Sequence, residues 1–353
     1  MPQGDFVTVA RGFNRPAPTP EMNNQHPTTK DQTPAPKIVG LAGGVGGAKL
    51  AQGLQTILPP GALSLVVNTA DDFKLWGLHI SPDLDTVMYT LAGLANRAQG
   101  WGLEDETWNS AEMLRRYGQD VWFRLGDKDI ATHILRTHML NQGITITQLT
   151  AQLAASLQVP SHILPMCNEP VSTMIQTPDG LLDFQEYFVH RRHSDRVLGV
   201  SFRTVGTPRI TNEASRALHK ATAIVFCPSN PIVSIGPILQ VSGMKEALSA
   251  SHAPRVAVSP IVGGTALKGP AADMLKTLGH EVSAVGVARQ YQSIIDGMVI
   301  DSVDAHLAPR IQELGMEVEI TDTIMKSDDD RALLASNVLV FCNRLAVRRG
   351  SEA

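Results

Sequence analysis

Short runs of apolar residues alternate with helical patterns along much of the chain. Ile38–Ala42 and Leu63–Val67 have the length and continuous hydrophobicity of strands that are buried on both faces. Between these runs, apolar residues recur at helical spacing and predict a helix with one apolar face; they are Leu50, Ala51, Leu54, Ile57 and Leu58. This pattern is typical of a parallel sheet whose strands are connected by helices.

The same alternation resumes after residue 221 and continues nearly to the end of the chain. It predicts strands at 223–227, 255–259, 282–286, 297–301 and 317–320. It also predicts helices near 235–249, 270–278, 304–314 and 328–337. We therefore expect an α/β fold with three layers, built on a mostly parallel, Rossmann-like sheet.

Residues 101–199 interrupt the alternation. A helix is predicted through Ala131, Ile134 and Met139, and a second one at 147–157. Segments 171–176 and 181–189 flank a Pro-Asp-Gly turn and predict a hairpin. We interpret 101–199 as an α+β insertion of helices and a hairpin that covers the active site. Residues 36–100 and 200–345 would then form the Rossmann-like nucleotide-binding core.

Residues 1–35 differ in composition from the rest of the chain. Prolines are scattered among Asn, Gln and Thr, and large apolar residues are few. Such a segment cannot bury enough surface to offset its ordering entropy. We interpret it as a disordered leader, or as an upstream extension before a start at Met22.

Composition narrows the class of protein. The 353 residues carry a formal net charge of −4 and are 43% hydrophobic, which is typical of a globular enzyme. The balance of charge gives no sign of nucleic-acid or membrane partners, and no apolar segment approaches the ~18 residues of a membrane span. Three widely spaced cysteines, Cys167, Cys227 and Cys342, favour a reduced, cytoplasmic compartment.

Four glycines follow the first strand: Gly43, Gly44, Gly46 and Gly47. A strand, a glycine-rich turn and a helix are the geometry that presents free backbone N–H groups to a phosphate. The alternative is a tight turn with close packing of the helix. The third glycine of a dinucleotide fingerprint is replaced by Lys49, which either reaches a phosphate or lies solvated on the helix.

Carboxylates follow the second strand, at the edge of the sheet where α/β proteins bind ligands. Asp71 and Asp72 end that strand, and Asp85 lies on the first turn of the next predicted helix. In the same turn, Ser81 is a good N-cap and Asp83 complements the helix dipole. Carboxylates beside a phosphate-binding turn are how Mg²⁺ is commonly held, so a Mg²⁺ site on Asp71, Asp72 and Asp85 is one interpretation.

Two polar loops follow strands in the second half of the core. Residues 227–237 and 259–264 combine prolines with small hydrogen-bonding side chains. Rigid polar loops at successive strand ends suit recognition of a nucleotide base and sugar, although ordinary turns would explain each loop alone. The basic segment 190–193 is interpreted as a surface cluster in preference to a diphosphate clamp.

These motifs occur in the order in which they are found in the 2-phospho-L-lactate transferase family, which the chain resembles from about Lys37 to Cys342. The segments that carry the resemblance are 43–49, 67–72, 81–87, 125–133, 228–231, 234–237 and 259–261. Within the family, Val45, Gly47 and Ala48 resemble the bacterial phosphoenolpyruvate transferase branch.

The resemblance implies a function in the biosynthesis of coenzyme F-420. The enzyme would move a phosphoenolpyruvyl or 2-phospholactyl group from a guanosine diphosphate conjugate to the deazaflavin Fo (7,8-didemethyl-8-hydroxy-5-deazariboflavin), releasing GMP. The primary hydroxyl of the Fo ribityl chain would attack the distal phosphorus of the donor. Such transfers are catalysed mainly by positioning and charge neutralisation.

The resemblance also assigns residues to roles. Asp85 and Asp72 would be catalytic, and Asp71, Asp72 and Asp85 would hold Mg²⁺. Fo would be bound by Asp85, Arg124 and Lys128. Phosphate and guanosine would be bound by Gly44, Val45, Gly46, Gly47, Lys49, Ser229, Asn230 and Ser259. We further expect Asp85→Asn to cut turnover roughly a hundredfold while changing stability by under about 0.5 kcal/mol, as for a solvated carboxylate.

Two other functions remain open from the sequence. One is a nucleotide-sugar-binding regulator similar to the gluconeogenesis factor proteins, which share the glycine segment but lack known transfer chemistry. The other is an NAD-dependent oxidoreductase, which the missing third glycine disfavours. The tryptophans at 101, 108 and 122 could serve a homodimer contact or an Fo pocket.

Overall fold

The computed structural model describes residues 36–352, so the predicted leader at 1–35 lies outside the described residues. The strands, in chain order, are β1 Ile38–Ala42, β2 Leu63–Val67, β3 Phe73–Leu75, β4 Leu78–Ile80, β5 His162–Pro165, β6 Val171–Thr177, β7 Gly180–Asp183, β8 Gly199–Thr204, β9 Ala223–Phe226, β10 Arg255–Val258, β11 Ile261–Val262, β12 Thr265–Ala266, β13 Gly297–Asp301 and β14 Glu317–Thr321.

The helices, in chain order, are α1 Gly44–Ile57, α2 Pro82–Leu91, α3 Asn109–Arg116, α4 Asp127–Asn141, α5 Ile146–Ser156, α6 Asn212–His219, α7 Ile235–Gln240, α8 Met244–Ala250, α9 Ala271–Thr277, α10 Ala284–Gln290, α11 Ala308–Gln312 and α12 Asp328–Glu352. A π-helical turn spans Glu186–His190, and a 3₁₀ helix spans Ser302–Leu307.

A seven-stranded sheet forms the centre of the molecule, in the order β14-β13-β10-β9-β1-β2-β5. Every neighbouring pair in it is parallel. Successive side chains of a strand point to opposite faces. In β1, Val39 and Leu41 pack on one face with α6 to α11, whereas Ile38 and Ala42 pack on the other with α1, α2, α5 and α12. The predicted three-layer α/β fold is confirmed.

The direction of the chain through the sheet reverses between β1 and β9. From β1 the chain proceeds outward to β2 and β5, and it then returns to place β9 on the other side of β1. Leu41 is consequently paired with Val66 on one side and with Phe226 on the other. In open α/β sheets, ligands bind in the crevice beyond the carboxyl ends of the strands at such a reversal.

Smaller elements cover this end of the sheet. Strands β3 and β4 form an antiparallel hairpin directly after β2. Strands β7, β6 and β8 form an antiparallel sheet, and the π-helical turn that follows β7 packs in a cluster with Phe184, Tyr187 and Val233. These elements bring side chains from the middle of the chain over the crevice.

Six of the predicted core strands are present with nearly the predicted bounds. The strand predicted at 282–286 is wrong, because this segment begins helix α10. The Ser283 hydroxyl accepts a hydrogen bond from the Gly286 N–H at 3.2 Å and caps the helix. A short apolar run does not distinguish a buried strand from a buried helix, and the cap decides between them here.

Other boundaries also differ from the prediction. The helix predicted near 304–314 is a 3₁₀ helix followed by α11, and α12 continues to Glu352, past the predicted end at 337. The helix predicted at 235–249 is divided into α7 and α8, because Gly243 between them adopts a φ of 88°. The second hairpin strand, predicted at 181–189, ends at Asp183 and gives way to the π-helical turn. Strand β5, within the range interpreted as an insertion, pairs with β2 and is an edge strand of the central sheet.

None of the helices found between residues 36 and 352 is long and apolar enough to cross a membrane. Cys167, Cys227 and Cys342 are buried free thiols.

Candidate active site

The crevice between β1 and β9 is closed at its base by hydrogen bonds to the Ser229 hydroxyl. This oxygen accepts from the Gly43 N–H at 3.1 Å and donates to the Gly43 carbonyl at 2.8 Å. Gly43 alone connects β1 to α1, and Gly44 begins the helix with a φ of +63°. The two strand ends are therefore held together by a side chain that was predicted to contact guanosine.

Close packing explains much of the glycine content of this turn. A methyl group on Gly46 would collide with the Pro228 carbonyl oxygen, and one on Gly47 with the Ser229 hydroxyl. A methyl group on Gly43 would collide with the Asp83 carboxylate. The first amide of α1, that of Gly44, donates to the same carboxylate. The N-terminus of α1 is thus partly neutralised by Asp83, as expected for an anion at a helix start.

Two adjoining cavities lie above the crevice. The larger one, about 840 Å³, is lined by the start of α1 and by the loops after β9, β10 and β14. The lining of the smaller one, about 230 Å³, includes five aromatic side chains: Tyr89, Trp101, Phe123, Phe184 and Phe188. Both are lined by Gly44, Val45, Asp71, Asp83, Trp101, Phe184 and Phe188. These shared residues mark the boundary between the two compartments.

Two buried carboxylates lie at this boundary, and among residues 36–352 their hydrogen-bond donors are all neutral. Asp71 accepts from the Thr173 hydroxyl at 3.1 Å, and Asp83 accepts from the Asn68 side-chain amide at 3.0 Å. Burial, together with the charge of Asp83, raises the pKa of Asp71 well above its usual range. Burial raises the pKa of Asp83 to about 6, although the hydrogen bonds from Asn68 and Gly44 act to lower it. Both carboxylates therefore gain from a nearby cation.

Asp72 turns away from this pair. Its Oδ2 accepts from the Ser81 hydroxyl at 2.8 Å and lies 3.0 Å from His79 Nε2, while its Oδ1 is buried without a partner among the described residues. Ser81 is the N-cap residue of α2, as predicted, but its hydroxyl is bonded to Asp72 and makes no capping hydrogen bond. Within the range 36–352, the residues that line the two cavities include Asp71 and Asp83 but not Asp72.

Asp85 is buried and paired with Arg136, which contradicts the expectation of a solvated carboxylate. The guanidinium binds both carboxylate oxygens, with Nη1 3.0 Å from Oδ2 and Nη2 in close contact with Oδ1. Arg136 is 2% exposed. Burial acts to lower the pKa of Arg136, but the charge of Asp85 outweighs it and the pKa is raised. The charge of Asp85 is therefore already matched by a fixed cation.

Asp85, Asp129 and His133 lie within 4.8 Å of one another, which is close enough for a metal site. Arg136 occupies the position of the cation in this group. Its Nη1 also lies 3.1 Å from His133 Nδ1, and because arginine can only donate, Nδ1 is the acceptor. His133 Nε2 then carries the ring proton and offers no lone pair to a metal.

Cationic side chains also line the larger cavity: Lys49, Lys268 and Lys326. Lys49 donates to the Met325 carbonyl at 3.0 Å, and Lys268 donates to the Gln99 carbonyl at 2.9 Å. Burial, followed by the charges of Arg331 and Lys268, lowers the pKa of Lys49. Mutually repelling cations in one cavity favour an anionic ligand.

The remaining residues predicted for the nucleotide have their polar atoms engaged within the protein. Asn230 Oδ1 accepts from the Ile232 N–H at 2.9 Å. The Ser259 hydroxyl donates to the Ile261 carbonyl at 2.8 Å and accepts from the Ile261 N–H at 3.2 Å. Both side chains shape loops that line the larger cavity, together with Ser229.

The structure separates the two basic residues predicted for Fo. Arg124 lines the smaller cavity, and its guanidinium lies 4.2 Å from the centre of the Trp108 ring. Lys128 is directed elsewhere: its ammonium donates to the Glu104 carbonyl at 2.8 Å, on an exposed surface. In the part of the chain that the structure describes, Lys128 is not a lining residue of this cavity.

Sequence reasoning assigned no site role to several lining residues. Asp83 was interpreted only through the helix dipole, because its position on the first turn already accounts for a carboxylate. Phe184 and Phe188 were placed on a strand, where they would point to the same face. In the structure Phe184 precedes the π-helical turn and Phe188 lies in it, and such a turn leaves no periodic signal. Trp101 was noted, with its role open between a dimer contact and a pocket.

Comparison with known proteins identifies the family. The family described as 2-phospho-L-lactate transferase CofD matches residues 38–338. The chain belongs to this family. A 2-phospho-L-lactate transferase of Methanosarcina mazei is 39% identical over 302 residues, covering 86% of this chain and 99% of the relative. A phosphoenolpyruvate transferase of Streptomyces griseus is 40% identical over 309 residues, covering 86% and 97%.

The predicted family is therefore confirmed, and the Streptomyces relative bears the name of the predicted bacterial branch. The chain is a transferase. Among solved structures, protein BH3568 of Bacillus halodurans superposes with a TM-score of 0.56 at 18% identity, covering 86% of this chain and 99% of that protein. This likeness supports the fold alone.

The raised pKa of Asp83 predicts a pH-dependent stability in the metal-free transferase. The folded state holds this proton up to a pH of about 6, whereas the unfolded chain releases it near 3.8. Stability contributed at Asp83 therefore falls as pH rises through this window, by on the order of 3 kcal/mol. We expect the free energy of unfolding of wild type to fall by this amount relative to that of Asp83→Asn between pH 3.8 and about 6, measured by urea unfolding. Parallel pH profiles for the two proteins would contradict the assignment.

The buried ion pair predicts a large stability effect at Asp85. Asp85→Asn leaves the Arg136 charge buried and unpaired, which should cost about 3–5 kcal/mol. Replacing both partners, Asp85→Leu with Arg136→Met, should recover most of that stability but leave turnover reduced roughly a hundredfold. Denaturant unfolding and turnover are measured on the same preparations. Wild-type stability of Asp85→Asn would show that the pair is not formed.

Proposed function

We propose that this transferase moves a phosphoenolpyruvyl or 2-phospholactyl group from a guanosine diphosphate conjugate to the deazaflavin Fo. GMP is released, and coenzyme F-420-0 or its dehydro form is produced, in the cytoplasm. The observation that carries the proposal is the pair of adjoining cavities with Asp71 and Asp83 at their boundary. A donor in one cavity and an acceptor in the other would meet at this boundary.

The two cavities differ in charge and in aromatic lining, as the proposed donor and acceptor differ in charge and in ring structure. The larger one falls within the ~300–1,000 Å³ of small-molecule sites and contains the three lysines, which suit a guanosine diphosphate conjugate. The smaller one includes five aromatic rings in its lining, and these suit a planar heterocycle. The names of the relatives, a 2-phospho-L-lactate transferase and a phosphoenolpyruvate transferase, support transfer of a phosphorylated three-carbon acid.

We further propose that Mg²⁺ is held by Asp71 and Asp83. The donor set at the boundary fits this ion, since it consists of carboxylate oxygens whose pKa values are raised by burial and, for Asp71, by the neighbouring charge of Asp83. Asp72, which we predicted as a ligand, is bonded to His79 and Ser81, and Asp85 is matched by Arg136. The ion would neutralise the oxygens of the diphosphate.

The other groups act by positioning. Asp85 lines the smaller cavity and is fixed by Arg136, so it can orient the attacking hydroxyl and accept its proton. The hydroxyl oxygen bonds to the distal phosphorus as the bond from phosphorus to the GMP oxygen breaks. The three lysines offset the charge that GMP carries away. Phosphoryl transfer needs little base strength, so a carboxylate paired with a guanidinium is adequate.

The proposal predicts that purified enzyme, Mg²⁺, Fo and guanylated phosphoenolpyruvate or 2-phospholactate yield GMP and a product with the mass of dehydro-F-420-0 or F-420-0. Mass spectrometry identifies the product, and the better donor identifies the acid. Calorimetry with GDP, and with NAD as the control, tests the nucleotide. Binding of the guanylated donor without product would favour a nucleotide-binding regulator, and NAD binding without GDP binding would favour an oxidoreductase.

A further inference from the structure

The carboxylate of Asp129 also lines the smaller cavity, and it has no role in the proposed transfer step. Its Oδ1 is bound on the protein side, where the Tyr89 hydroxyl donates to it at 2.8 Å. His133 Nε2 lies 3.3 Å from the same oxygen, in a contact that is not well aligned. Among residues 36–352, no donor is bonded to Oδ2, and Asp129 lines the cavity.

The network beneath Asp129 determines the state of each group. Arg136 Nη1 donates to His133 Nδ1, so the ring proton is on Nε2 and faces Asp129. His133 is 1% exposed. If Nδ1 carried a proton, its N–H would face the N–H of Arg136, so the neutral ring with its proton on Nε2 is the state that fits. Burial acts to raise the pKa of Asp129, but the contacts from His133 and Tyr89 and the charge of Arg136 outweigh it and hold the pKa below its usual value.

Arg136 and His133 therefore form a buried support for two carboxylates on the cavity wall. Asp85 is held by the guanidinium, and Asp129 is held by the imidazole and the Tyr89 phenol. Asp85 faces the transfer chemistry by the proposal above. Asp129 shares the lining of this cavity with Arg124, Phe123 and Trp101. It is an ionised hydrogen-bond acceptor fixed beside a site for a planar ring.

We propose that Asp129 determines acceptor specificity by accepting a hydrogen bond at Oδ2 from an N–H or O–H group on the ring of the bound heterocycle, with His133 as its positioning residue. This inference rests on the proposed function, whose acceptor carries such a group, the 8-hydroxyl of its deazaflavin ring. A charged acceptor left unpaired is costly, so heterocycles without a ring donor at this position are rejected.

The test separates binding of the acceptor from transfer. Asp129→Asn should raise the KM for Fo by about ten- to a hundredfold, the loss typical of a hydrogen bond to a charged group, with little change in kcat or in the KM for the donor. His133→Phe should also raise the KM for Fo. His133→Gln should bring the KM for Fo most of the way back to the wild-type value, because an amide offers an acceptor to Arg136 and a donor to Asp129.

His138→Phe is the matched control, since His138 is an exposed histidine of the same helix α4 and is bonded only to Gln142 among the described residues. It should leave both KM values unchanged. Calorimetry with Fo on each variant, beside a melting curve, confirms that the effect lies in acceptor binding.

Three outcomes would overturn the inference in different ways. If wild type binds and transfers to Fo while Asp129→Asn keeps its KM for Fo, Asp129 does not contact the ring and the proposed function stands. If wild type neither binds Fo nor releases GMP, the proposed function fails and this inference fails with it. A fall in kcat without a change in KM would assign Asp129 to chemistry instead of recognition.

Discussion

The burial of carboxylates without matching cations is the constraint on which this site depends. Asp71 and Asp83 are held beside each other by neutral donors, the Thr173 hydroxyl, the Asn68 amide and the Gly44 N–H. Buried charges are normally paired, and an unpaired one costs free energy that the rest of the fold must supply. Asp85, a short distance along the same helix, shows the usual solution, since Arg136 neutralises it. The contrast motivates the proposal that Asp71 and Asp83 hold a cation.

The fold makes this arrangement possible through the position at which the sheet reverses direction. The carboxyl ends of β1 and β9 lie side by side there, and the Ser229 hydroxyl joins them. The glycines at 46 and 47 allow the loop after β9 to approach α1 closely. As a result, the start of α1, the acidic segment after β2 and the loops after β9 and β10 surround one space. The aromatic side chains that complete the smaller cavity come from elements outside the central sheet.

Much of the fold follows from local patterns in the sequence, because buried parallel strands are continuous apolar runs and the helices between them are amphipathic. The failures occur where tertiary structure decides. The run at 282–286 is apolar enough for either structure, and the Ser283 cap makes it a helix. Strand β5 contains a histidine and a proline and shows no strand pattern, yet it completes the sheet beside β2.

The segments that form the candidate site could be predicted from the sequence, but the partners of its carboxylates could not. The glycine turn, the acidic segment and the polar loops were each found from residue types and their positions after strands. Which carboxylates lack a charged partner was not, because Asp85 is paired with Arg136, 51 positions further along the chain, and Asp72 is bonded to His79 of the β3–β4 hairpin. The helix dipole already explained a carboxylate at Asp83, so the sequence contained no separate indication that this residue lines the site.

The central claim is that Asp71 and Asp83 hold a cation that the diphosphate of the donor also binds. The most direct measurement is the affinity for GDP, by calorimetry, with and without Mg²⁺, for wild type and for Asp83→Asn. The account predicts that Mg²⁺ tightens GDP binding to wild type by about tenfold or more and leaves the affinity of Asp83→Asn nearly unchanged. Equal tightening of both proteins by Mg²⁺, or the same GDP affinity of wild type with and without the ion, would contradict it.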